Sequence, residues 1–379
     1  MFVTFPPPPH SFHISHSKGE NNCGGQAGNV EQSTGYACML SQMANGWVDL
    51  FSSSTRGGTS STAPFGVVTL ADGGWEGNPA NAGKIHWAET LNYGTLPSPR
   101  LRNGFVATAH DIGDPWNEQG CRAKGCCRDD VPPNLTAGCL SAAEPIPYAL
   151  AEARYDDKTH SWVNGKPPLW PSTPGLMSSV HPRTKKYVGD RLAAAAWYGD
   201  AYGHMDKPAV GPVLSGCTLS GSTITLTFNT TLLRGETVVM KPWNATMRAS
   251  ATQVLVNKPF PRAEETANFH LGPKVMDYPP WTYAPIAAGA AGSNTIVVDV
   301  SAFGDSPEAI AAAVTGVRYA RWARVDHPVC CGDLDFSLEP CPPNSCPISS
   351  SKSDLPAMPF EAEIVGGKCK CLAPQVCDA

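Results

Sequence analysis

Two short segments hold the residue types that acyl-transfer chemistry needs. The first is Lys18-Gly19-Glu20-Asn21-Asn22-Cys23-Gly24-Gly25. Small and amide residues at this density favour a tight turn with exposed backbone N–H groups and side-chain amide donors. Donors so placed stabilise an oxyanion as it develops. An ordinary Gly/Asn turn uses the same composition, so this segment alone does not separate the two. The second is Val180-His181-Pro182-Arg183-Thr184-Lys185-Lys186, which opens a helix running through Arg191-Leu192. A histidine just ahead of a helix, followed by a proline that fixes the chain, is held rigidly. That suits a general base taking a proton from a hydroxyl nucleophile.

Three other motifs compete for a chemical role. Gly304-Asp305-Ser306 looks like a nucleophile motif between a strand and the helix-like 309–314 stretch. Three-residue matches are frequent, and a plain turn is the expectation. Cys330, Cys331, Cys341 and Cys346 could form a zinc knuckle, with His327 nearby. Adjacent cysteines fit C-x₂-C ligand spacing poorly, so disulfides are expected, with no metal and no cofactor. His10, His13 and His16 follow four prolines among serines. Residues 1–17 are therefore expected to be a low-complexity leader rather than a metal tract.

The elements that must position these residues follow from periodicity. Tyr36, Met39, Leu40, Met43, Trp47, Leu50 and Phe51 recur at helical spacing. Phe65–Ala71 and Phe105–His110 are largely apolar runs that read as buried strands, and 83–94 reads as a helix between them. A further helix is expected over 184–200. Strand–helix alternation up to about residue 205 argues for a parallel sheet. Residues 115–180 interrupt it as a long insertion holding Cys121, Cys126, Cys127 and Cys139. After Pro208 the period becomes two, at Leu219, Ile224, Leu226 and Phe228, with short strands at 236–240, 295–300 and 317–322. That pattern predicts a β-sandwich over 209–361, followed by a cysteine-rich tail over 362–379.

Composition narrows the partners. The 379 residues are 42% hydrophobic and 16% charged, which supports a sizeable core. Net charge is -5 with no Lys/Arg-rich run, so nucleic acid is not an expected partner. No apolar stretch reaches the length of a membrane span. Fourteen cysteines and the sequons at Asn134, Asn229 and Asn244 point to an oxidising, secretory or lysosomal compartment. The first residues lack the basic and apolar regions of a signal peptide.

Taken in chain order, the motifs resemble a known family. Gly19-Glu20-Asn21-Asn22, Thr34-Gly35-Tyr36-Ala37-Cys38 with Trp47, Pro64-Phe65-Gly66 and His181-Pro182-Arg183 with Lys185, Gly189 and Arg191-Leu192 look like sialate O-acetylesterases. These are SGNH-type carbohydrate esterases. Gly316-Val317-Arg318-Tyr319-Ala320 and Leu355-Pro356-Ala357-Met358-Pro359-Phe360 resemble the family's closing β-domain. The resemblance runs from about residue 18 to 361. It implies a three-layer α/β/α hydrolase domain over 18–208, followed by the β-domain. It implies an esterase removing O-acetyl groups from sialic acids or other acetylated sugars, with His181 as base. Gly19, Glu20 and Asn21 then fall in the oxyanion and substrate-binding block.

Two departures shape the expectation. The family's Gly-Gln-Ser-Asn or Gly-Asp-Ser motif, on the first strand, has no match before Gly19. An N-terminal nucleophile segment is therefore expected upstream, and the chain as given is expected to be nearly inert. In many such enzymes an aspartate lies three residues before the histidine, where Ser178 stands here. Asp111 and Asp114 end the strand that leads into the histidine loop, so either can orient His181, with Asp111 preferred. The alternative is a non-catalytic carbohydrate-binding or interaction remnant, with Trp75, Trp87, Trp116 and Trp170 available to stack on sugars. A purely structural disulfide-rich protein explains the tail but not the α/β half.

Overall fold

The computed structural model describes residues 13–15, 36–53, 58–71, 85–91, 93–112, 155–156, 161–162, 185–199, 202–241, 252–257, 281–289, 292–320 and 346–371. Within them, β1 (His13–Ser15), β2 (Phe65–Val68) and β3 (Gly104–Ala107) form a parallel sheet in the order β1-β2-β3. Every residue of β2 and β3 is buried, as unbroken apolar runs require. Helices cover both faces. Helix α1 (Tyr36–Ser52) packs Tyr36, Ala37, Leu40 and Ala44 against Phe65, Val67 and Val106. Helix α2 (Lys185–Tyr198) packs Leu192, Ala195 and Ala196 against Val68, Phe105 and Ala107. Alternate residues of β2 thus serve opposite helices, as pleating dictates. Gly66 sits where a Cβ would lie 2.7 Å from the Phe105 ring and 3.3 Å from Leu192, so its missing side chain lets α2 close on the sheet.

This part is α/β, as the alternation predicts. One expectation needs correction: His13–Ser15, inside the stretch read as a leader, is a strand paired with Phe65–Val67. The Phe12-His13-Ile14-Ser15 alternation is short and hidden among prolines and histidines. The insertion at 115–180 has one described feature, the short antiparallel pair β4 (Tyr155–Asp156) and β5 (Ser161–Trp162).

The second half is antiparallel. Its strands are β6 (Leu214–Ser220), β7 (Thr223–Phe228), β8 (Val238–Met240), β9 (Thr252–Val256), β10 (Trp281–Tyr283), β11 (Ile286–Gly289), β12 (Thr295–Asp299), β13 (Val314–Tyr319), β14 (Ile348–Ser350), β15 (Phe360–Val365) and β16 (Lys368–Cys371). Nine of them form one sheet, ordered β10-β9-β13-β15-β16-β6-β7-β12-β11, while β14 pairs with β8. Val254, Val317, Ala362, Ile224 and Ile296, from strands across the width of that sheet, share one core with Val238 and Ile348. The sheet therefore curls around its core.

A two-sheet sandwich was expected, and the described strands differ for a definable reason. Strands β10-β9-β13 and β6-β7-β12-β11 would make two sheets, but the β15–β16 hairpin inserts between them and joins them. Alternation reveals which face of a strand is buried, not which strand it pairs with. The tail boundary drawn after residue 361 consequently falls inside β15. The hairpin turns on Gly366 and Gly367, at φ 55° and 74°, which the two-residue turn of a hairpin requires. A Cys217–Cys369 disulfide staples β6 to β16.

The two halves meet. Val210 and Met358 belong to the α1-side core, and the Met358 N–H donates to the Pro212 carbonyl at 2.9 Å.

Candidate active site

In parallel α/β sheets, ligands bind beyond the carboxyl ends of the strands, because loops and helix ends converge there. Here that edge is made by Thr69-Leu70 after β2 and Thr108-Ala109-His110-Asp111 after β3, all buried. Asp111 is fully buried and holds Arg191 of α2 in a two-pronged pair, with Nη1–Oδ1 at 2.6 Å and Nη2–Oδ2 at 2.7 Å. Arg191 Nη1 also donates to the Thr108 carbonyl at 2.7 Å. A planar guanidinium fits a carboxylate this way, and the extra bond satisfies a backbone acceptor that the strand end leaves open. The helix that follows His181 in sequence is thereby clamped to the end of β3.

Beside this pair lies a buried chain of hydrogen bonds. The Ala109 N–H donates to Thr69 Oγ1 at 3.1 Å, and the Thr69 hydroxyl donates to Thr108 Oγ1 at 3.5 Å. Thr108 Oγ1 in turn bonds His110 Nδ1. His110 Nε2 lies 3.5 Å from Sγ of Cys346, which is itself in a disulfide. A disulfide sulfur only accepts, so Nε2 carries the ring proton and Nδ1 accepts from Thr108. Burial lowers the His110 imidazole from its ordinary 6.5 to about 4; Asp111 opposes the shift and Arg191 adds to it. His110 is therefore a neutral ring joining the parallel sheet to the β half.

The helical residues 85–89 close the end of β2. His86 Nε2 donates to the Leu70 carbonyl at 2.7 Å, and Glu89 Oε2 accepts from the Leu70 N–H at 2.9 Å. His86 and Glu89, three apart, lie on one helical face and together satisfy both backbone groups of Leu70. The His86 and His110 rings stand 6.4 Å apart.

Of the base, orienting and oxyanion residues expected from sequence, Asp111 is described; Gly19, Glu20, Asn21, His181, Asp114 and Ser178 lie outside the described residues. Gly19 follows β1 by four positions, and His181 precedes α2 by four, so both segments lead directly from or into elements of this α/β unit. Asp111 engages Arg191 with both carboxylate oxygens, and its described partner is thus the helix behind His181. Ser306, from the nucleophile-like triplet, caps helix α3 (Pro307–Ala313), accepting from the Ala309 N–H at 3.2 Å. The triplet is a helix start, with Pro307 at its first position. The cysteines weighed as a zinc knuckle lie outside the described residues, apart from Cys346.

Sequence reasoning passed over His86, Glu89, His110 and the pairing of Asp111 with Arg191. Polar residues at the ends of apolar runs, Thr69 after Phe65–Val68 and Thr108-Ala109-His110-Asp111 after Gly104–Ala107, were the available signal.

No family model matches the chain. Among curated proteins, the rat sialate O-acetylesterase is 36% identical over 81 residues, which cover 21% of this chain and 15% of that protein. The mouse protein is 32% identical over 81 residues, and the human one 30% identical over 80. Each of these matches spans 15% of the relative's own length. Among solved structures, a carbohydrate acetylesterase from Xanthomonas citri aligns with a TM-score of 0.46 and 16% identity, covering 94% of this chain and 50% of that one. The chain is thus similar to the sialate O-acetylesterases over about a fifth of its own length, a stretch that spans 15% of theirs.

Proposed function

We propose that the protein is a carboxylic ester hydrolase that removes acetyl groups from sugars, with O-acetylated sialic acids as the first candidate substrates. The observation that carries this reading is the Asp111–Arg191 pair, which fixes the helix led by His181 at the carboxyl edge of a parallel sheet. The names of the relatives support the substrate class. In this reading His181 takes the proton of a serine hydroxyl as that oxygen attacks the acetyl carbonyl. It then returns the proton to the departing sugar oxygen, and water releases acetate in the second half-reaction. Gly19 and Asn21 supply oxyanion donors, with Glu20 beside them. Asp111 positions His181 through Arg191 and α2. The attacking serine is left unassigned. An oxidising, secretory or lysosomal setting accords with the Cys217–Cys369 disulfide. Residues 18–208 form the esterase unit, and the β unit runs from 209 through β16.

The test is acetate release from O-acetylated sialic acid and from p-nitrophenyl acetate. In a protein that also carries the nucleophile serine, His181→Ala is expected to lower turnover by roughly 10²-fold or more, with the thermal transition unchanged. Equal turnover in the variant would remove His181 from its role. A protein that carries the nucleophile serine yet binds acetylated sugar without releasing acetate would favour the reading as a non-catalytic binding protein.

A further inference from the structure

We propose that the end of α2 and the turn behind it form a binding platform for a sugar acid, a pyranose bearing a carboxylate. The proposal rests on the carbohydrate reading above but requires no turnover. Trp197 is 48% exposed although its ring stacks on His204, with centroids 4.1 Å apart and planes within 11°. Tyr202 flanks the indole at 5.6 Å, tilted by 38°. Residues 202–207 are all exposed, and Met205 lies among them. Three rings thus meet at one point of the surface, on the solvent side of the helix whose buried side holds Asp111. Trp197 is six residues beyond Arg191, about 9 Å along the helix.

The ring stack fixes the indole in place, so a ligand loses little to ordering it. Flat aromatic faces with polar tips match the C–H face and hydroxyls of a pyranose. The border of the platform selects among sugars. Lys207 Nζ lies 5.3 Å from the Tyr198 ring centre. Arg234 reaches in from the β half, its Nη2 2.9 Å from Met205 Sδ. Arg234 holds φ 49° and is followed by Gly235 at φ 77°, a left-handed pair that turns the chain there. Asp206 is the one carboxylate in the 202–207 segment. Lys207 against the Tyr198 ring and Arg234 against Met205 put two cations at the border of the exposed 202–207 segment, which complements a carboxylate-bearing ring better than a neutral one.

The experiment is saturation-transfer NMR and tryptophan-fluorescence titration of the full chain. The probes are the methyl glycoside of N-acetylneuraminic acid, the methyl ester of that glycoside, and methyl galactoside. The free acid is expected to bind in the roughly millimolar range and more tightly than its ester. Trp197→Ala should weaken it by roughly tenfold. Joint Arg234→Gln and Lys207→Gln should remove the preference for acid over ester while leaving ring contact intact. Circular dichroism identifies any misfolded variant, and Trp197→Phe, which keeps a ring, then serves in its place and should retain most binding. Absence of binding, equal binding by Trp197→Ala, or equal affinity for acid and ester would overturn the proposal. So would a concentration-dependent dimer that Trp197→Ala abolishes, since the face would then belong to a second copy. Sugar binding without acetate release, in a protein that also carries the nucleophile serine, would retain the platform and remove the esterase reading; acetate release without binding at Trp197 would do the reverse.

Discussion

The two halves of the molecule bury different things. The curled sheet of the β half closes its backbone hydrogen bonds strand to strand, and its core is largely apolar, from Ile224 and Leu226 to Val317 and Ile364. The parallel sheet is short, and its strands stop inside the protein. Backbone groups beyond those ends have no ladder to join, so side chains must satisfy them. His86 and Glu89 serve Leu70, and Arg191 serves Thr108. Charged and titratable groups therefore collect where a parallel sheet ends, which is also where an α/β protein has room for a ligand. The same need for hydrogen-bond partners explains the clustering of polar groups there.

If stability resides in the curled β half, its staple should matter most. The Cys217–Cys369 bridge spans 152 residues of chain. Replacing both cysteines with serine is expected to lower stability by about 4–5 kcal/mol on the loop-entropy account. Guanidinium unfolding monitored by tyrosine and tryptophan fluorescence gives the value; a loss under about 1 kcal/mol would show that the strand ladder holds β16 unaided.

On the other side of the comparison, Arg191→Met leaves Asp111 charged and buried without its partner, at a cost of about 3–5 kcal/mol. Adding Asp111→Leu to Arg191→Met should recover much of that loss, because the orphan charge is gone. A double variant as unstable as the single one would mean that packing, and not charge, holds α2.

His110 links the halves and should make their union sensitive to acid. Its folded pKa of about 4 lies below the unfolded 6.5, so the unfolded chain binds the proton more readily. The stabilisation is complete above pH 6.5 and is lost as pH falls from there towards 4. It amounts to about 3 kcal/mol. His110→Gln should flatten that part of the stability-against-pH curve. An unchanged slope would assign the acid sensitivity to other groups.

The smallest effect is expected at an exposed helix start in the β half. Ser306→Ala removes the cap of α3 and should cost about 1 kcal/mol, with no change in acetate release. Loss of acetate release with the fold retained would return Ser306 to the list of nucleophile candidates.

Much of the architecture was legible from periodicity. The helix at Tyr36–Ser52, the buried strands at Phe65–Val68 and Gly104–Ala107, the helix at Lys185–Tyr198 and the alternating run at Thr223–Phe228 each follow from which residues are apolar and how far apart they stand. Periodicity is a local property, and these elements are defined locally. The motifs around Gly19-Glu20-Asn21 and His181 likewise pointed to a family without any coordinates.

Partnership was decided by the tertiary structure. Asp111 and Arg191 stand 80 residues apart, and His110 and Cys346 stand 236 apart. No spacing rule reaches across such intervals; the pairs exist because β3, α2 and the β half pack together. The β15–β16 hairpin shows the same limit. Its Val365-Gly366-Gly367-Lys368 turn is written in the chain, but its place between β13 and β6 is not. Side-chain types fix what a residue can bond to and local spacing fixes the face it occupies, while the partner it meets depends on how the whole chain folds around it.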